Sequence, residues 1–227
     1  MGARVFRARA VAIDLDGTML DTIADLAAAV NAMLADFGRP ALAQSTVRSY
    51  VGKGARILVH RALSGSFDGR VDDATAARGM QSFERHYERE NGRSATLFPN
   101  VVEGLQAMRA RRLRLACVTN KPQAFADVLL ARTGLAAHFE FVIGGDVLPR
   151  AKPDPMQLHH ACELFGLRTS QMVAIGDSLN DAQAARAAGI PVMIVPYGYN
   201  EGRPVSTIDA DAVVADLLEA AMRIEAG

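Results

Sequence analysis

The chain has 227 residues, half of them hydrophobic, and its 25 acidic side chains balance 25 basic ones. That length suits one large domain or a main domain with a smaller companion, and zero net charge argues against nucleic acid or a membrane surface as partner. No apolar run is long enough to cross a bilayer, so the sequence reads as a cytoplasmic enzyme or binding module with a substantial core.

Taken in chain order, the N-terminal arginines resemble the start of a signal peptide, but Asp14 cuts the following apolar stretch short. "AVAI", Ala10–Ile13, reads as a buried strand that runs into "DLDGT". From about Thr22 to Ala95 only helical patterns appear: "IADLAAAVNAMLADFG", "VRSYVGKGARILVHRAL" and "DATAARGMQSFERHYERE". From Leu113 onward apolar runs alternate with helical spacing: "LRLACV", "FEFVI", "MVAI" and "VMIV", then "DADAVVADLLEAAMRIEAG" as a last short strand and a closing helix. This order predicts an α/β fold, a doubly wound parallel-sheet (Rossmann-like) core with an inserted all-helical cap. The predicted division is residues 1–20 plus 96–227 for the core and 21–95 for the cap, with two crossings that form a hinge. Cys117 and Cys162 have no metal-ligand spacing and read as buried thiols.

In open parallel sheets, ligands bind beyond the carboxyl ends of the strands. The polar residues that end the apolar runs are Asp14 and Asp16; Thr119, Asn120 and Lys121; and Asp177 and Ser178, followed by Asp181. Lys152 follows the third run after a loop. Two carboxylates as close as Asp14 and Asp16 disfavour each other's ionisation unless a cation offsets the repulsion. Carboxylate oxygens suit a hard cation such as Mg²⁺, and a carboxylate is also a known nucleophile towards phosphorus. "DLDG" is not an EF-hand loop, because Met19 stands where glycine is needed, and "GKG" at Gly52–Gly54 is not a phosphate-binding P-loop. "SLND" fits a capping box, so Asp181 reads as a helix cap or as a metal group. Asp21 after Thr18 reads as a cap. Pro122 and Pro155 are expected in first helical turns, with Asp154 as an N-cap. Lys121 reads equally well as solvated or as part of the site.

The ordered set "DLDGT", "VTN", "AKPDP" and "GDSLND" resembles the four motifs of the haloacid dehalogenase-like hydrolases, and the likeness covers nearly the whole chain. Within that superfamily, "VGKGARILVHRAL", "VTNKPQAFADVLL" and "YGYNEG" look like the bacterial phosphoglycolate phosphatases. The resemblance implies a Mg²⁺-dependent phosphatase acting on a small phosphorylated metabolite through an aspartyl-phosphate. Asp14 would be the nucleophile and Asp16 the general acid and base, its backbone carbonyl also facing the metal. Thr119, Asn120 and Lys152 would hold the phosphoryl group, while Asp177 and Asp181 would complete the metal site with Asp14. Lys53, in the cap turn, would bind a substrate carboxylate. The competing expectations are a phosphatase for a sugar phosphate or pyrophosphate, a phosphomutase, and a non-catalytic phosphate-binding module.

Overall fold

The computed structural model describes residues 4–227. A short strand β1 (Phe6–Ala8) leads into β2 (Ala10–Ile13), whose four residues are all buried. After the two-residue strand β3 (Leu20–Asp21) come four helices, α1 (Ile23–Asp36), α2 (Gln44–Tyr50), α3 (Ala55–Ser64) and α4 (Asp73–Glu90). The chain returns through β4 (Thr96–Leu97), antiparallel to β3. It then runs α5 (Val101–Ala110), β5 (Arg114–Val118), α6 (Gln123–Arg132), β6 (Phe141–Ile143), α7 (Met156–Phe165), β7 (Met172–Gly176), α8 (Leu179–Ala188), β8 (Val192–Ile194), β9 (Ala212–Val213), α9 (Leu217–Met222) and β10 (Ile224–Ala226).

Six strands form one parallel sheet in the order β6-β5-β2-β7-β8-β9. The chain moves outward from β2 to β6 and then crosses back to β7 on the other side of β2. The strand order therefore reverses at β2, which is where such sheets hold ligands. Alternation along each strand sorts the core into two layers. Val11, Ile13, Leu115, Cys117, Val173 and Ile175 pack under α5, α6 and α9. Ala10, Ala12, Ala116 and Ala174 lie on the other face, where their small side chains let α7 and α8 approach closely. A sheet buried on both faces explains why these strands read as unbroken apolar runs.

The four helices of residues 23–90 form a unit with its own apolar core, which includes Val30, Met33, Val47, Leu63, Phe83 and Tyr87. The "VRSYVGKGARILVHRAL" pattern divides into α2 and α3, because Gly52 (φ 131°) and Gly54 (φ 81°) adopt backbone angles that end one helix before the next begins. The unit is tied to the sheet domain by polar contacts. The Asn120 and Asn180 side-chain amides both donate to the Gly52 carbonyl, at 3.1 and 3.2 Å. Arg48 donates to the carbonyls of Tyr197 and Gly198, and Arg61 pairs with Glu201 at 2.9 Å.

Three details depart from the sequence reading. Pro122 and Pro155 each precede the first helical residue instead of occupying it, and Asp154 accepts a hydrogen bond from the Met156 N–H two residues on. The closing helix stops at Met222, and the residues beyond it pair as β10 with β1, in the register Phe6 to Ile224. Both strands have only three residues, too few to display a period, and are held by burial of Phe6 and Ile224 in the α5/α9 layer.

Candidate active site

The sheet ladder extends one residue past β2, where the Asp14 N–H donates to the Ile175 carbonyl at 2.9 Å. The Leu15 carbonyl then accepts from the N–H groups of Thr18, Met19 and Leu20, so the chain turns sharply and Asp14 is left at the sheet edge. Gly17 makes this turn at φ 89°, and a Cβ there would come within 2.4 Å of an Asp177 carboxylate oxygen. β7 delivers Asp177 beside it. One Asp177 oxygen accepts from the Thr18 hydroxyl at 3.0 Å and the other from the Tyr199 N–H. Asp181 lies in the first turn of α8. One of its oxygens accepts from the Ser178 N–H and hydroxyl, and the other meets Lys152 Nζ at 2.6 Å. The capping box is therefore real, and the same carboxylate still faces the cluster. Lys152 Nζ also contacts Asp14 at 2.9 Å and donates to the Val118 carbonyl at 2.8 Å.

One oxygen from each of Asp14, Asp177 and Asp181 lies within 4.8 Å of the others. Three clustered carboxylates are thus met by one ammonium, which contacts two of them, Asp14 and Asp181. Burial is the main reason the Asp14 carboxyl is pushed up to about 6; Lys152 opposes the shift and Asp181 adds to it. Burial, followed by Asp181 and Asp14, also raises Asp177 well above the usual carboxylate range. For Lys152 the burial penalty alone would lower the ammonium's pKa, but Asp14 and Asp181 outweigh it and the net shift is upward. An excess of buried anionic oxygen with no nitrogen or sulfur donor fits a hard divalent cation such as Mg²⁺.

The Asp16 carboxylate stands outside that cluster. It accepts from the Thr22 hydroxyl at 2.6 Å, and Lys121 Nζ lies 3.1 and 3.2 Å from its two oxygens. Lys121 is itself buried and meets the Tyr87 hydroxyl, carried by α4, at 2.5 Å. Asp14, Asp16, Thr119, Lys121, Lys152, Asp177 and Asp181 all line one cleft. The helical unit covers it with Leu26, Val51, Leu58, Phe83 and Tyr87.

Of the two remaining expected substrate contacts, Asn120 lies in the cleft and Lys53 does not. The Asn120 side-chain N–H groups donate to the carbonyls of Gly52 and Lys152 and brace those segments, while its Oδ1 is buried with no partner among the described residues. Lys53 is exposed and does not line the cleft; the flanking glycines present their backbone there and leave the lysine side chain in solvent. The sequence reading also missed three residues. Thr18, read as part of a helix cap, holds Asp177 instead. Gln157 is fully buried; its amide donates to the carbonyls of Thr119 and Gly144, and its oxygen accepts from the Lys152 N–H. Tyr87 of α4 is a core aromatic whose hydroxyl meets Lys121 Nζ and whose ring centroid lies 4.7 Å from it.

The family model for haloacid dehalogenase-like hydrolases matches residues 8–189. The chain belongs to the haloacid dehalogenase-like hydrolases. The chain is 50% identical over 216 residues to a phosphoglycolate phosphatase of Thiobacillus denitrificans, with 95% of each protein covered. It is 52% identical over 217 residues to one from Nitrosospira multiformis, with 96% of each covered. Among solved structures, a predicted phosphoglycolate phosphatase from Haemophilus somnus superposes with a TM-score of 0.88 at 31% identity, covering 94% of this chain and 96% of that one. A haloacid dehalogenase-like hydrolase is thus the enzyme class, and no helix among the described residues is long and apolar enough to cross a membrane.

Proposed function

We propose that this hydrolase is a Mg²⁺-dependent phosphatase that converts 2-phosphoglycolate to glycolate and phosphate. The observation that carries the reading is the division of labour between two carboxylates two residues apart. Asp14 sits in the anionic cluster against Lys152, and Asp16 is held separately, in the same cleft, by Thr22 and Lys121. Asp14 attacks phosphorus, and the bond from phosphorus to the glycolate oxygen breaks as the Asp16 carboxyl proton passes to that oxygen. Water then attacks the aspartyl-phosphate, Asp16 takes its proton, and Asp14 is restored with release of phosphate. The Thr119 hydroxyl, which accepts from the Lys121 N–H at 3.2 Å, keeps its own hydrogen free for a phosphoryl oxygen. Lys152 lowers the repulsion between Asp14 and an anionic ester. Asp14, Asp177, Asp181 and the Asp16 carbonyl would hold the cation, which supplies charge neutralisation to the transferring phosphoryl group.

Residues 21–95 act as the cap in this reading. Its apolar ceiling offers few partners to a polyol, whose hydroxyls would be buried unpaired, so the site suits a short ester. The names of the close relatives support 2-phosphoglycolate as that ester. One observation favours a second reading, a different small phosphate ester: with Lys53 outside the cleft, the helical unit brings no cation to a substrate carboxylate. A panel of 2-phosphoglycolate, a sugar phosphate, a carboxylate-free alkyl phosphate and pyrophosphate, assayed with and without Mg²⁺, decides between them. Asp14→Asn serves as the blank and should release no phosphate. Turnover by that variant at the wild-type rate overturns the nucleophile assignment, and a higher kcat/KM on another ester reassigns the substrate.

A further inference from the structure

The sheet domain contributes a second buried lysine, which none of the chemical steps above involves. Lys121 Nζ spans both oxygens of Asp16, and its remaining hydrogen-bond contact is the Tyr87 hydroxyl. The Lys121 side chain is 3% exposed. Its neighbours on every side are fixed. The Thr119 hydroxyl accepts from its backbone N–H, Asp16 is anchored on its far side by Thr22, and Tyr87 stacks on Phe83 at 5.2 Å and meets the edge of Phe125 at 5.0 Å. The ammonium therefore meets both oxygens of the Asp16 carboxyl group on one side and the Tyr87 hydroxyl on the other. Tyr87 belongs to α4, whereas Lys121 and Asp16 belong to the sheet domain, so this chain of contacts exists only while the helical unit is docked.

We infer that Lys121 and Tyr87 are positioning residues for the Asp16 carboxyl group, and that docking of the helical unit sets the acid and base through them. The inference rests on the phosphatase reading of the site. It accounts for the presence of a buried cation at a point where neither the phosphoryl group nor the anionic cluster needs one. It also gives Tyr87 a duty beyond packing: its ring belongs to the core of the helical unit and lies 4.7 Å from Lys121 Nζ, and its hydroxyl supplies the hydrogen bond that holds Lys121 to Asp16.

The test compares wild type with Lys121→Met and Tyr87→Phe on 2-phosphoglycolate and on ethyl phosphate, which lacks the carboxylate, with melting curves to establish folding. Misplacing a general acid and base costs roughly 10–100-fold. Lys121→Met should lower kcat by about that factor on both esters, with KM within about twofold. Tyr87→Phe keeps the ring packing and should give a smaller kcat loss in the same pattern. The double variant should be no worse than Lys121→Met, because the two groups act in one chain. p-Nitrophenyl phosphate, whose leaving group needs little protonation, should lose less than the alkyl esters. A KM increase confined to the carboxylated ester would make Lys121 a substrate ligand and overturn the inference. So would a Tyr87→Phe enzyme with wild-type kcat. If wild type itself releases no phosphate from either ester, the phosphatase reading fails first, and that outcome is distinct from both.

Discussion

Glu201→Ala removes one half of an ion pair that crosses from the sheet domain to α3. Both side chains are nearly closed to solvent, with Arg61 4% and Glu201 5% exposed. Arg61 cannot follow its lost partner outward, because its guanidinium also donates to the carbonyls of Tyr50 and Phe67, each at 2.8 Å, and lies 3.9 Å over the Phe67 ring. Removing one member of a buried pair leaves an uncompensated charge and costs about 3–5 kcal/mol. The helical unit can escape that penalty by undocking and letting water reach Arg61. The loss should therefore appear near the lower end, about 3 kcal/mol, as a shift of roughly 10²-fold toward the undocked form. Amide hydrogen exchange is the assay. Residues 197–203 and the start of α3 should lose protection by about that factor, while β2, β5 and β7 keep theirs. Glu201→Gly supplies a control, since Glu201 occupies a left-handed backbone conformation (φ 51°) that costs a non-glycine residue about 1–2 kcal/mol. Glycine recovers that cost but not the pair, so this variant should fall between wild type and Glu201→Ala. A Glu201→Ala protein with unchanged exchange, or a Glu201→Gly protein more protected than wild type, would refute the assignment of docking energy to this pair.

Stripping divalent ions should abolish turnover. Adding Mg²⁺ at about 100 times its Kd should raise stability by about 2.7 kcal/mol in a thermal melt; no thermal shift with any divalent cation would refute the metal assignment of Asp14, Asp177 and Asp181. Gly17→Ala drives a methyl group towards Asp177 in a backbone conformation that alanine disfavours, and displacements near 1 Å in such sites cost about 10² in rate. Initial rates and Mg²⁺ titration should both show it, and an unaltered response would mean that the turn yields without moving Asp177. Hydrogen bonds from Ser82 and His86, with Arg85 nearby, bring the exposed Asp36 carboxyl down from 3.8 to about 2. A carboxyl whose folded value is depressed adds stability above its unfolded value and loses it as pH falls through the folded one. Urea unfolding of Asp36→Asn should therefore differ from wild type at pH 5, with the gap closing between about pH 4 and pH 2; a constant gap would rule the ionisation out.

The end-of-strand rule made much of the site legible, and the reason lies in how the sheet is buried. Asp14 and Asp177 terminate runs that are apolar on both faces, so a carboxylate there has no packing reason to exist. Partners distant in sequence left no such mark. Thr18 meets Asp177 across 159 positions, and Tyr87 meets Lys121 across 34, so neither pairing has a periodicity. Tyr87 also has a sound packing role, which hides the work of its hydroxyl. Lys53 misled because a glycine-flanked turn does not reveal which side of it meets solvent. Asn120 did follow its strand as expected, but which of its groups faces a ligand depends on Gly52 and Lys152, two segments that only the fold brings to it.

That doubly committed carboxamide has a further consequence. One of its hydrogens reaches across to the helical side and the other reaches the loop that presents Lys152. Were the helical unit to lift as the proposed cap, the first of these bonds would break and only the one to the Lys152 carbonyl would remain, so the loop that presents Lys152 is braced most fully with that unit in place. Enclosure of the cleft and the placing of the Lys152 loop thereby share one small amide.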